Sequence, residues 1–298
     1  MNSSLASRPA TQIDPSVTAF FDQQSNTFSY VVQDPTSNAC AIIDSVLDFD
    51  YASGHFCFIG ADAIKHYIQS RNLQVEWHIE THVHADHLSA APYLQQQLGG
   101  KLAIGEQIIS VQKTFGSLFN EGTEFQRDGS QFDRLLADGD SYQIGNMAAT
   151  ALHTPGHTPA CMVHVVGNAA FVGDTIFMPD AGTARADFPG GCAGTLYHSV
   201  QKILSLPSET RLYLCHDYGP NGREVDYQTT VAEQCLNNIH VNNAIAEDQF
   251  VQMRETRDKT LGMPTLIMPA IQTNMRGGHF PAAESNGVVY LKVPVNVF

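Results

Sequence analysis

The chain has 298 residues, a formal net charge of −14 at pH 7 and 43% hydrophobic residues. That size and apolar content fit one large domain or two modest ones with a sizeable core. The acidity argues against nucleic acid as a partner, because phosphate binding needs clustered cations and the 16 Lys and Arg form no basic run. The opening MNSSLASRPATQIDP has no apolar signal core, and residues 1–14 are expected to form a flexible tail. FSYVVQ (28–33), the turn-forming DPTSN and ACAIID (39–44) predict a hairpin. In 61–71, Ile64 and Ile68 stand one turn apart and predict a helix. Leu73, Val75, Trp77 and Ile79 alternate with polar residues and predict a strand that runs directly into Thr81. LSAAPYLQQQLGG (88–100) reads as a helix stopped by Gly99 and Gly100, KLAIGE as a strand, and 116–132 as a loop. Between 141 and 173, SYQIG, MAATALH, CMVHVVG and AAFVGD are short strands with tight turns. Residues 195–207 predict a helix up to Pro207, RLYLCHD (211–217) a strand, and 230–250 a single helix. The following segment contains the apolar TLIMPAI, expected on the core or at a homodimer interface.

No apolar stretch is long enough to span a membrane. The six cysteines, Cys40, Cys57, Cys161, Cys192, Cys215 and Cys235, form no Cys-x-x-Cys pair and read as buried free thiols. A reducing compartment, the cytoplasm, is the expected location.

The chemistry concentrates at strand ends. THVHADH (81–87) places His82, His84, Asp86 and His87 where a strand meets a loop. His157 follows in TPGHTP, Asp174 in FVGDT after an apolar strand, and His216 in LYLCHDY after another. A single histidine is most often a half-buried side chain with a satisfied hydrogen bond. Four separate segments that each bring a ligand type to a strand end are a different matter, and imidazole with carboxylate suits first-row divalent metals.

In this order, THVHADH, GHTP, GDT and CHD resemble the metallo-β-lactamase superfamily. The resemblance implies an α/β fold, a four-layer αβ/βα sandwich of two mixed β-sheets with helices outside and metal at one edge. It would occupy residues 15–298, with a C-terminal extension from about 241. GTARADFPGG (182–191), CHDYGPNGRE and the late RDKTLGMPTLIMPAIQTNMRGG are similar to bacterial persulfide dioxygenases. That likeness implies oxidation of glutathione persulfide by O2 to sulfite and glutathione, at one Fe(II) per chain that Zn or Mn can replace in a purified sample. The ligands it implies are His82, His157 and Asp174. His84, Asp86, His87 and His216 would then hold waters and orient the ligands. Arg185 is a candidate for a glutathione carboxylate or for an ion pair with Asp187, Tyr218 for a hydrogen bond to substrate, and Arg223 for a second carboxylate. The same seven metal-type residues also suit a thioester hydrolase of the glyoxalase II type. There, two metals bridged by Asp174 would activate hydroxide, with Asp86 as proton acceptor. The ligand set does not separate the two; GTARADFPGG and the C-terminal segment favour the dioxygenase.

Overall fold

The structure, a computed structural model, describes residues 13–297. The chain opens with β1 (Ser16–Asp22), β2 (Thr27–Gln33) and β3 (Ala39–Ile43), paired antiparallel in sequence. The β2–β3 hairpin turns on Asp34, whose carboxylate accepts from the Thr36 and Asn146 backbone N–H groups at 2.8 Å each. A short ribbon follows, β4 (Val46–Asp50) and β5 (His55–Cys57), and then α1 (Ile59–Ser70). Ala61, Ile64 and Ile68 are the buried stripe of α1, as their helical spacing requires. β6 (Gln74–Ile79) lies parallel to β3 and ends immediately before the THVHADH segment. The first sheet is completed by β8 (Lys101–Gly105) and β9 (Arg134–Leu136), after β7 (Leu88–Ser89), α2 (Ala91–Leu98) and α3 (Ile108–Leu118). Its order is β1-β2-β3-β6-β8-β9, while β5-β4-β7 form a small third sheet.

The second sheet runs β10 (Ser141–Ile144), β11 (Met147–His153), β12 (Met162–Val166), β13 (Ala169–Phe171), β14 (Arg211–Tyr213) and β15 (Gln228–Thr230). Only β13 and β14 pair in parallel, because α4 (Ala193–Leu204) crosses between them. Three C-terminal helices follow, α5 (Val231–Asn237), α6 (Glu247–Asp258) and α7 (Ile267–Asn274). Tyr30, Val32, Ala41 and Ile79 of the first sheet interleave with Ile144, Ala149, Val166 and Phe171 of the second. Outside the first sheet, Ile42 and Val75 pack on Ile64 and Leu94 of α1 and α2. Outside the second, Val163 and Leu212 pack on Leu196 and Val200 of α4 and on Phe250 of α6. The result is the four-layer αβ/βα sandwich with two mixed sheets. Among the described residues no helix is long and apolar enough to cross a membrane.

Several expectations change. The helix read over 88–100 begins at Ala91, since Leu88 and Ser89 pair with β4 and Pro92 favours a first-turn position. The loop read at 116–132 begins inside α3, whose Val111 and Phe115 stripe is buried. The helix over 230–250 is two helices. Asn238 leaves the helical path, and its side-chain oxygen accepts from the His240 and Val241 backbone N–H groups, at 2.8 and 3.1 Å. TLIMPAI packs on the core through Leu266, Ile267, Ala270 and Ile271. β1, β4, β5 and β9 are not evident in the sequence pattern. Residues 1–12 of the expected tail lie outside the described residues. Ile13 packs on the core, and Asp14 accepts a hydrogen bond from Asn168 N. All six cysteines are free thiols; Cys40, Cys161 and Cys215 are buried, whereas Cys192 is exposed.

Candidate metal centre

The predicted residues meet at one edge of the sandwich, where the parallel strands end. Asp44 follows β3, the 81–87 segment follows β6, His157 lies between β11 and β12, and Asp174 and His216 follow β13 and β14. Two glycines let the segments approach. Gly173 has φ +51°, and a Cβ there would stand 2.7 Å from the Thr81 hydroxyl. Gly156 has φ +135°, and its Cβ would stand 2.4 Å from the Leu196 backbone. Any other residue would push apart the loops that carry His82 and Asp174, or lift His157 off α4.

Each histidine has one ring nitrogen committed outward. The Thr81 hydroxyl donates to Asp44 Oδ2 at 2.8 Å, so its oxygen accepts from His82 Nδ1–H at 3.1 Å. His157 Nδ1 donates to the Arg185 carbonyl at 2.8 Å, and His84 Nε2 to Asp44 Oδ1 at 3.0 Å. His216 Nδ1 donates to the Asn26 carbonyl at 3.2 Å and His87 Nδ1 to the Leu88 carbonyl at 3.3 Å. The opposite nitrogens turn inward, as in metal-binding histidines; neighbouring carboxylates hold a proton on His84 and His216, which a metal would displace. His82 Nε2, His84 Nδ1, His87 Nε2, His216 Nε2, Asp86 Oδ2 and Asp174 Oδ1 are buried without a hydrogen-bond partner. Orphaned buried polar atoms are costly, so a group of them facing one space fits a cation.

Within this space one two-histidine, one-carboxylate group is His82, His157 and Asp174. Their ligand atoms lie within 4.8 Å of one another, with the two Nε2 atoms 3.8 and 3.6 Å from Asp174 Oδ2. His84 forms further groups of this kind, with Asp86 and His87, and with Asp174, Cys215 and His216. Among the described residues no such group unites Asp86, His87 and His216. His216 Nε2 lies 3.2 Å from Asp174 Oδ1 and 3.3 Å from Asp86 Oδ2. Burial opposes a charge on His216, but Asp174 and Asp86 outweigh it and hold its pKa up at about 10. Burial pushes His82 well down and His87 down to about 4, helped in both by His84. Both rings are therefore neutral at pH 7, the form a metal takes up. Burial works to raise Asp174, yet His216 and His82 overcome it and keep its carboxyl well below the ordinary range.

The family model of the metallo-beta-lactamase superfamily matches residues 23–216. The chain belongs to that superfamily. It is 53% identical to a probable metallo-hydrolase of Burkholderia pseudomallei, with 94% of this chain and 99% of the relative covered. It is 45% identical to Glyoxylase B2 of Dictyostelium discoideum, over 94% and 97% of the two chains. It is 31% identical to the mitochondrial persulfide dioxygenase ETHE1 of Bos taurus, over 87% of each. The crystal structure of ETHE1 from Myxococcus xanthus superposes with a TM-score of 0.70 at 26% identity, covering 89% of this chain and 100% of that one.

In this metallo-β-lactamase fold the metal-type residues open into a cavity of about 1080 Å³, lined by Asp86, His157, Asp174 and His216 at its base. Tyr218 lines it too, stacked on the His216 ring at 6.0 Å between centroids. Arg185 also lines it, but its fork is already used: Nε and Nη2 hold the two Asp187 oxygens at 2.6 and 2.7 Å, and Nη1 donates to the Gly262 carbonyl at 2.7 Å. Of the two roles expected for Arg185, the ion pair with Asp187 is present, and a substrate carboxylate would have to share or displace it. Arg223, expected to meet a substrate carboxylate, meets two protein carboxylates. It is absent from the cavity lining and donates to Asp180 and Asp217, locking the loop after β14.

The sequence reading missed Asp44. It sits at φ +51°, a conformation that Asp tolerates better than most residues, and it anchors Thr81 and His84 together. Its signal was the same as that of Asp174: a carboxylate at the end of an apolar strand. It also missed Asp258 of α6, which accepts from Ala186 N at 2.9 Å and so holds the loop whose Arg185 carbonyl orients His157. Arg185→Ala and Asp187→Ala should each cost about 1–3 kcal/mol of stability. The double variant should lose less than the sum of the two. Thermal melts of the three proteins test this; a raised KM in Arg185→Ala without any loss of stability would favour the substrate-anchoring role.

Proposed function

We propose that the chain is a persulfide dioxygenase, which oxidises glutathione persulfide with O2 to sulfite and glutathione and holds one Fe(II) on His82, His157 and Asp174. The observation that carries this reading is the compact arrangement of two imidazoles and one carboxylate beside a roomy cavity. Iron(II) held by these three residues would supply the chemistry that brings a sulfur ligand and O2 together. The chain's own residues do the remainder. Thr81 and the Arg185 carbonyl fix the rings of His82 and His157. Phe177 and Phe188 give the cavity apolar walls that limit water around the reacting sulfur. The overall reaction takes one O2 and one water per persulfide and releases sulfite, the free thiol and two protons. Asp86, 3.3 Å from His216 Nε2 and lining the cavity, is placed to take up a proton. The likeness to ETHE1 supports the reading, and the six free thiols fit a reducing compartment such as the cytoplasm.

A second reading has its own observation. Asp86, His87 and His216 each present an orphaned buried atom, as a second metal would need, and Glyoxylase B2 is the more similar relative in sequence. That would make the chain a thioester hydrolase of the glyoxalase II type. The two part in one experiment on anaerobically purified protein. The dioxygenase should contain about one iron per chain, consume O2 with glutathione persulfide and release sulfite, while leaving S-lactoylglutathione almost untouched. Two tightly held zinc ions with rapid thioester hydrolysis would replace this proposal with the hydrolase.

A further inference from the structure

The late segment QTNMRGG (272–278), which closes α7, lines no part of the cavity, yet one of its side chains reaches the THVHADH segment. Residues 81–87 lie in no helix or strand, and all but Asp86 are buried. A buried stretch without a ladder cannot turn to water, so its backbone groups need partners brought by the fold. At the near end, the Thr81 carbonyl accepts from Met162 N at 2.9 Å. At the far end the partner is Asn274. Its side-chain N–H groups donate to the His84 carbonyl at 2.9 Å and to the His87 carbonyl at 2.8 Å. Its side-chain oxygen accepts from Ser89 N at 2.8 Å. One amide, 190 residues from His84 and only 5% exposed, thus holds the turn on both sides of Asp86.

The chemistry asks for asparagine, which carries two donors and an acceptor on one short stem. Aspartate of the same shape would set oxygens against both carbonyls. The amide is itself held in place. Gln112 of α3 donates to the Met275 carbonyl at 2.9 Å, and Arg276 pairs with Glu121 at 2.6 Å, so the end of α7 is fixed from its other side.

We propose that Asn274 is a positioning residue for the metal centre. By fixing the backbone around Asp86, it sets where His84, Asp86 and His87 present their inward atoms before any cation arrives. Ordering of the turn is then part of folding and not of metal binding, which raises affinity. The role applies to the dioxygenase and to the hydrolase alike, since both would use those three side chains.

Cobalt(II) is the probe, because its visible absorption reports the geometry of the donors around it. It is titrated into metal-free wild type, Asn274→Asp, Asn274→Ala and Gln112→Ala. Both Asn274 variants should bind cobalt roughly 10–100-fold more weakly, as loss of support behind ligands does. Their visible spectra should also differ from that of wild type. Gln112→Ala removes buried hydrogen bonds from the same helix end without touching the turn. It should lower the melting temperature and leave cobalt affinity and spectrum as in wild type. A second measurement needs no variant and decides the matter if the Asn274 variants do not fold. The Ser89 amide should be as protected from hydrogen exchange in the metal-free wild type as in its cobalt form. Wild-type cobalt affinity and spectrum in either Asn274 variant, the same changes in Gln112→Ala, or a Ser89 amide protected only with cobalt bound would each overturn the positioning role.

Discussion

Asp174→Ala should reduce metal content to a small fraction of the wild-type level and turnover with it. Asp174 is the only carboxylate in the group formed with His82 and His157, and it faces His216 as well. Alanine leaves two imidazoles, which hold a divalent cation poorly without an anionic partner. His216→Ala is the informative contrast. If His216 acts through Asp174 and Asp86, metal should remain, with activity down roughly 10–100-fold, as is typical of residues that support ligands. Elemental analysis and single-turnover rates on both variants decide it. Equal metal loss in the two would mean that His216 is itself a ligand, and would favour the two-metal hydrolase.

Asp44→Ala should be the most destabilising single change at the site. Asp44 is 2% exposed, and its two oxygens accept from Thr81 N, the Thr81 hydroxyl and His84 Nε2 at 2.8, 2.8 and 3.0 Å. Burial works against its charge, yet His84 and the Thr81 bonds outweigh it and lower its pKa. Removing the carboxylate strands those donors in a dry interior, a loss of about 3–5 kcal/mol. For a chain of this size the melting temperature should fall by roughly 10 °C. The Thr81 hydroxyl would also lose the acceptor that directs its lone pair to His82, so metal affinity should drop by roughly 10–100-fold. Asp44→Asn keeps the shape and one acceptor oxygen and tolerates the positive φ. It should therefore keep more stability than Asp44→Ala. Thermal melts and metal titrations of both variants test this, and a wild-type melting temperature in Asp44→Ala would refute the anchoring role.

The sequence by itself determined the pieces that depend on neighbours along the chain. Alternation placed β6 before Thr81, helical spacing placed α1 and α4, and apolar runs ending in Asp or His marked Asp174 and His216. These signals are local, because a strand end that faces a site must change from apolar to polar within a residue or two. Edge and short strands were not legible: β1 is half-exposed and β9 has three residues, so neither repeats a pattern long enough to read. The helix over 230–250 was misread because propensity is a weak guide once one side chain, Asn238, can bind its own backbone. The uses of the charged residues were also decided only in three dimensions. Arg185, Arg223 and Arg257 look alike in sequence, but two of them meet carboxylates brought by the fold, and among the described residues one does not. A guanidinium's role is set by which partner reaches it first, and that is a property of the packed structure. Like His157 with its Arg185 carbonyl, the other four site histidines are each aimed by an outward bond, His84 by Asp44, forty residues away, and His216 by Asn26. Residue types announced a metal site, and tertiary contacts chose the nitrogen each histidine offers to it.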